Sequence, residues 1–326
     1  MKNFPLLAVG SLVAFALVSG ALAQESGGDQ AAELAKQLSN PVASLISVPF
    51  QANYDFKMGP TNKGEKFTLN LQPVVPISLG KDWTLIVRTI LPYISQHDVF
   101  YREIPRFPGL PDRVLKDIPP ALRDDAEDLA RKLYDKEIKK HPQNRSQDGL
   151  GDTTQSFFLS PKTPGPGGLI WGLGPVFVYP TATDNLLGGG KWGAGPTFVG
   201  LVQKGGWTTG LLANQVWSVA GDSDRDNVSA MFLQPFVSYT TKTHTSFTLN
   251  AESTYNWDDS QWTVPINLMV SQILKIGKQP VSIQLGGRYY AEGPSGAPDW
   301  GLRLAFTLLF PTGKHAPEHD GKGYVK

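Results

Sequence analysis

Three stretches of this 326-residue sequence carry residue types at spacings that chemistry uses, and each departs from its pattern. Gly188-Gly189-Gly190-Lys191-Trp192 has the glycines and lysine of a phosphate-cradling loop. Asn185, however, stands where the first glycine belongs, and Trp192 where Ser or Thr would hold magnesium. The stretch reads better as a loop whose glycines permit tight packing at a rim. Asp222, Asp224 and Asp226 have the one-three-five spacing of a calcium loop, yet Asn227 replaces the turn glycine and Leu233 the closing glutamate, so a solvated acidic loop is expected. His315 and His319 are four apart with Pro317 between them, which denies them a shared helix face for a metal. His97, His141 and Ser146 could serve hydrolysis, but the sequence pairs them with no orienting carboxylate, and no G-x-S-x-G or H-E-x-x-H occurs. The expectation is a protein with no catalytic residues, no metal site and no cofactor.

The other chemically interesting residues are charges embedded in apolar runs: Asp55, Lys57, Lys66, Arg88, Glu252, Arg288, Glu292 and Arg303. The run at 300–310, WGLRLAFTLLF, shows the rule. Trp300, Leu302, Leu304, Phe306, Leu308 and Phe310 are large and apolar, and Gly301, Arg303, Ala305 and Thr307 fall between them. A period of two makes it a strand. Its length suits a tilted bilayer crossing, with an aromatic at each end and aliphatic residues between. The same pattern would cover a soluble sandwich core, so the other strands must decide. A lysine or arginine facing lipid near the midplane costs ~2–4 kcal/mol. Alternation and energetics therefore turn all eight charges, Arg88 above all, toward a lumen. The five basic residues outnumber Asp55 and Glu292 on consecutive strands of a closed barrel, so that wall is expected to be net basic. The alternative is that the charges pair with one another and fill a narrow bore.

Twelve such segments run from 45–58 to 299–311, each bounded by glycine, proline or polar clusters. Short links at 80–81, 204–206, 241–243 and 277–279 alternate with longer ones at 181–191, 221–227 and 292–299. Tight turns at one end and loops at the other describe an outer-membrane barrel with periplasmic turns and extracellular loops. The Pro/Gly-rich turn at 160–167 fits the tight end less well. An even strand count puts both termini on the periplasmic side. All eight tryptophans fall at strand ends, where an amphipathic indole meets the headgroups. The fold class expected is all-β, an antiparallel transmembrane barrel of about twelve strands with one helical loop insertion.

Bulk composition agrees. Only 18% of residues are charged, and thirty basic against twenty-nine acidic residues leave no net field for a nucleic acid. The absence of cysteine excludes disulfides and thiolate chemistry and suits an exported protein. Export is explained by Lys2, the apolar run at 6–18 and Ala21-Leu22-Ala23, which predict a signal peptide over 1–23. A leader at 24–44 follows, with Ala31, Leu34, Ala35 and Leu38 at helical spacing before Asn40-Pro41; it could plug the lumen. The barrel spans 45–311, and 312–326 is a periplasmic tail. Within the barrel, 96–148 is an extracellular insertion holding a helix. Leu122, Ala126, Leu129 and Leu133 form one face of that helix, with acids early and bases late along it. The helix would lie on the rim or fold over the mouth.

Several stretches resemble a Gram-negative outer-membrane family labelled "transporter", often misnamed neuromedin U and similar to the meta-pathway phenol-degradation family. They are LAKQLSNPVASLISVPFQANYD (34–55), LNLQPVVPISLGKDWTLIVRTILPY (69–93), GDTTQSFFLSPK (151–162), YPTATDNLLGGGKWGAGP (179–196) and QPFVSY (234–239). The resemblance implies an outer-membrane barrel that passes small, aromatic or hydrophobic compounds, and the long helical insertion is the main departure from it.

Two functions stay open on the residues. One is a channel for small solutes, with outer-membrane lipid and the solute as partners. The other is a closed structural or adhesive barrel. The cleavage site predicts a mature chain beginning at Gln24, checked by the intact mass of protein extracted from outer membranes; a chain that retains residues 1–23 contradicts it.

Overall fold

A strand that leaves water for lipid must find partners for every N–H and C=O, which only a sheet without edges provides. The computed structural model of this chain describes residues 28–100, 107, 109–138 and 146–311. Fifteen strands make twelve antiparallel passes in it. The first pass is β1 (Leu45–Met58), the second β2 (Gly64–Leu71) with β3 (Val74–Leu79), the third β4 (Trp83–His97), and the fourth β5 (Ser146–Leu150) with β6 (Thr153–Pro161). β7 (Leu169–Tyr179), β8 (Lys191–Lys204), β9 (Trp207–Gly221) and β10 (Ser229–Thr240) follow singly. β11 (Thr245–Ala251) and β12 (Ser253–Asn256) share the ninth pass, before β13 (Gln261–Ile276), β14 (Gln279–Glu292) and β15 (Trp300–Pro311). The sheet closes because β15 pairs back onto β1, from Leu45↔Pro311 to Phe56↔Trp300.

The three divided passes share a cause. Proline offers no N–H to the ladder, and each division has one beside or opposite it. Pro73 separates β2 from β3, and the Gln72 N–H donates to the Pro49 carbonyl at 2.9 Å. Between β5 and β6 the Gly151 N–H donates to the Pro92 carbonyl at 2.9 Å, and between β11 and β12 the Glu252 N–H donates to the Pro265 carbonyl at 3.0 Å.

The two faces of the wall differ as alternation demands. On β15, Gly301, Arg303, Ala305, Thr307 and Leu309 are buried, whereas Leu302 and Leu304 are about half exposed. Leu173, Phe198, Phe247, Leu249, Leu268 and Leu285 are likewise exposed on other strands. In water this would be an apolar surface far larger than a soluble monomer shows; in a bilayer it is the lipid face. Trp83 and Trp207 stand exposed at the turn end, and Trp192, Trp217, Trp257 and Trp300 at the loop end. No helix among the described residues is long and apolar enough to cross a membrane.

The leader occupies the interior at the turn end. Helix α1 (Gly28–Leu38) contacts β1, β10 and β13. Its Leu34 and Ala35, with Ala43, pack against Leu45, Ile273 and Leu309. Gln203 Nε2 donates to the Lys36 carbonyl at 2.9 Å, and the Ser39 and Thr208 hydroxyls lie 2.9 Å apart. After α1, the Asn40 side chain accepts the Val42 N–H at 3.0 Å, turning the chain so that Val42 joins Ile86, Phe158, Val199, Leu201 and Leu212 on the inner wall.

The insertion carries α2 (Asp112–Leu115) and α3 (Arg123–Ile138). Its helix was expected to lie on the rim or fold over the mouth, with Leu122, Ala126, Leu129 and Leu133 on one face. Leu122, Leu129 and Leu133 are instead exposed, because the other side of the helix makes the contacts: Tyr134 packs on Phe107 at 5.5 Å, and the Arg131 guanidinium lies 5.9 Å from the same ring. The expected signal peptide at 1–23 and tail at 312–326 lie outside the described residues. Because α3 makes its described ring contacts within the insertion, on Phe107, protease added to intact cells should cut within 96–148 first and leave a folded barrel. Cleavage only after lysis reverses the orientation.

Candidate functional site

Inward parity gathers six ionic side chains from six passes. β15 contributes Arg303, β14 Arg288, β1 Asp55, β2 Lys66 and β4 Arg88; Glu252 comes from the division between β11 and β12. Glu252 receives both forks of Arg303, from Nη1 and Nη2 at 2.8 Å each, a bidentate pair. Arg303 Nε donates to Asn53 Oδ1 at 2.7 Å, its register neighbour on β1. Arg288 lies 3.6 Å from Asp55 and 4.0 Å from Glu252, with its guanidinium 5.4 Å from the Tyr290 ring. Lys66 is the cross-strand neighbour of Asp55. Arg88 Nη2 donates to Gln72 Oε1 at 3.0 Å. Glycine makes the room: a Cβ at Gly301 would come within 2.3 Å of Asp55 Oδ1.

Four cations thus face two carboxylates, and the cluster keeps a positive excess. Asp55 Oδ1 and Arg288 Nε are buried and meet no partner among the described residues, a costly state in a low dielectric. A cavity of about 360 Å³ lies beside the cluster, between it and the leader. Arg88, Arg303 and Glu252 line it on one side, Phe232 and Phe236 of β10 on another, and Ala35 and Leu38 of the leader at its base. A second cavity of about 170 Å³ runs along the leader past Gln72 and Arg88.

Two of the eight expected charges stand elsewhere. A bulge between Phe56 and Met58 gives Lys57 a φ of 60°, and its exposed side chain pairs with Asp299 at 3.2 Å on the rim. A register shift near Pro265 likewise leaves Glu292 exposed at the end of β14. Strict alternation fails at both because a bulge adds a residue to one strand.

The motif-like stretches are placed at the loop end. Loop 181–190 tucks against the wall, with Leu187 buried; Asp152 accepts the Gly189 N–H at 2.6 Å, and Arg225 donates to the Gly188 carbonyl at 2.5 Å. In the acidic loop, Asp222 accepts the Asp224 N–H at 2.9 Å. His97 corrects the sequence reading, since it does have a carboxylate. Its Nε2 lies 3.5 Å from Asp98 Oδ2, and its Nδ1 lies 2.7 Å from Ser146 Oγ. The imidazole is about half exposed, and this linkage ties β4 to β5 across the rim. His141, His315 and His319 lie outside the described residues.

Asn53, Gln72 and Tyr290 were not singled out from sequence. Each shares the inward parity of a charge on its own strand or pass, which is the signal that could have found them.

No protein-family model and no curated protein matches the chain by sequence. Among solved structures, an outer-membrane channel from Pseudomonas putida F1 is similar at 16% identity and a TM-score of 0.53, over 82% of this chain and 94% of that one. The KdgM porin matches at 9% and 0.40, over 81% and 99%. Outer membrane phospholipase A from Escherichia coli matches at 10% and 0.41, over 81% and 89%. The first likeness is one of fold. The fold is that of a Gram-negative outer-membrane barrel, and the apolar exterior agrees with that membrane.

Removing one partner of a buried ion pair leaves the other charge uncompensated, at a cost of about 3–5 kcal/mol. Glu252→Gln should therefore lower the unfolding free energy of the detergent-solubilised barrel, read from its urea transition, by an amount of that order and shift the midpoint down, and adding Arg303→Met should restore part of it. An unchanged midpoint for the single variant means that water already screens the cluster.

Proposed function

We propose that the chain is an outer-membrane channel for small solutes, with a lumen lined by Asp55, Lys66, Arg88, Glu252, Arg288 and Arg303 and closed toward the periplasm by its leader. The cavity of about 360 Å³ between the charge cluster and the leader carries this reading, because it is a polar, charged space inside an apolar-coated wall. Transport requires that the leader yield. What it must give up is the packing of Leu34, Ala35 and Ala43 on Leu45, Ile273 and Leu309 and a few hydrogen bonds, including Gln203 to Lys36 and Ser39 to Thr208. The sequence resemblance to the "transporter" family supports the same reading, and passage of aromatic or hydrophobic compounds belongs to that resemblance alone.

The positive excess favours anions, since low-dielectric walls focus the field of buried cations. A closed structural barrel is the second reading. The apolar packing of Val42 against Ile86, Phe158 and Val199 favours it, because that part of the bore is filled like a protein core.

Planar-bilayer recordings separate the two. The channel reading expects discrete conductance steps from the full chain, more frequent steps once residues 28–40 are removed, and a reversal potential of anionic sign in a salt gradient. A variant without the leader that shows no steps supports the structural barrel.

A further inference from the structure

The cations of the cluster are not equivalent, and the difference points to a ligand. Arg303 is used up: Nε is on Asn53, and both terminal nitrogens are on Glu252. Arg288 is divided between Asp55 and Glu252. Arg88 meets one acceptor among the described residues, the amide oxygen of Gln72, although a guanidinium carries five N–H donors. It lines both cavities, the larger of them together with Arg303 and Glu252. Gln72 takes a hydrogen from Nη2, and Nε and Nη1 meet no acceptor among the described residues.

The rest of the cavity says what kind of molecule this edge would meet. Arg88 stands on the third pass and Phe232 and Phe236 on the eighth, so the cation and the two phenyl rings face one another across a twelve-pass bore. Ile90 and Ile273 add apolar surface. Glu252 also lines the space, but both of its oxygens are covered by Arg303, which blunts its repulsion of an incoming anion. A volume of about 360 Å³ lies at the small end of ligand pockets.

We infer that this cavity is a binding site for a small organic carboxylate with a compact apolar body, its carboxylate forked on Arg88 and its body against Phe232 and Phe236. Planar carboxylate and guanidinium edges match bidentately. The ligand supplies the charge that Arg88 lacks, and the apolar end finds the two phenyl rings that, among the described residues, line the cavity. A bare inorganic anion would satisfy Arg88 and leave the phenyl wall wet; a neutral apolar molecule would do the reverse. The inference rests on the channel reading for its biological sense, but binding is measurable whether or not the barrel conducts.

Calorimetry on the full-length protein in detergent, with a detergent blank subtracted, tests the site. The probes are cyclohexanecarboxylate, cyclohexylmethanol and acetate. Cyclohexanecarboxylate should bind at least about tenfold more tightly than either of the others, because only it uses both walls. Arg88→Gln should weaken it by about tenfold or more, and Phe232→Ala together with Phe236→Ala should weaken it toward the level of acetate. Lys162→Gln, at the turn end outside the cavity, should leave binding unchanged. Equal affinity for the carboxylate and the alcohol in the unmutated protein overturns the site without recourse to any variant, as does an Arg88→Gln protein of unchanged affinity. Conductance without carboxylate binding removes this site and leaves the channel standing, whereas binding without conductance removes the channel and leaves the site.

Discussion

The pairing of β15 with β1 is the constraint on which the rest depends. Closing the sheet there satisfies backbone groups that lipid could not, and the register it adopts decides which side chains look inward. With Asn53 opposite Arg303 and Asp55 opposite Gly301, the arginine gains its amide partner and the aspartate its space. A slip of one residue would turn Arg303 to lipid and Leu302 and Leu304 to the lumen. The seam also fixes where the leader enters, because Leu45 opens β1 at the turn end and the preceding residues lie inside the wall.

Charge placement follows from that geometry. The carboxylate of Glu252 sits where proline has already broken the ladder. There the backbone can spare a carbonyl for its N–H, and the side chain can reach Arg303, which stands three passes away around the wall. Such a pair is weak evidence for stability, since desolvation offsets much of its attraction. It does order the lumen, by holding one guanidinium rigid while Arg88 keeps donors free. The resulting interior has two characters: a charged and amide-rich wall on one side, and on the other an apolar wall at the turn end that the leader covers with Val42.

Most of this was legible in the sequence for a simple reason. A transmembrane barrel writes its inside and outside on alternate residues, and the rule holds wherever the ladder is regular, as along β15. It failed at Lys57 and Glu292, where bulges at strand ends let the side chains swing to the rim. It also could not show which charges pair, because Arg303 and Glu252 are distant in sequence and become neighbours only when the barrel closes. The carboxylate beside His97 was missed although Asp98 is the next residue, since adjacency in a strand ordinarily sends side chains to opposite faces; Asp98 has a φ of 54° and departs from the strand. The leucines of α3 stand exposed because amphipathicity marks a face that could pack, and the contacts around Phe107 took the other side.

On the channel reading, a lumen for small solutes runs through the barrel and the leader closes it. The absence of native cysteine permits a direct test: cysteines at Ala35 and Ile273, members of one buried cluster on a helix and a strand in contact, should form a bridge that fixes the leader to β13. Single-channel recording of this double variant should show few or no conductance steps when oxidised and recovery of steps when a reductant is added to the same bilayer. Steps of the same size and frequency in both states would show that ions do not pass where the leader sits, and would rule out the leader as the closure of the lumen.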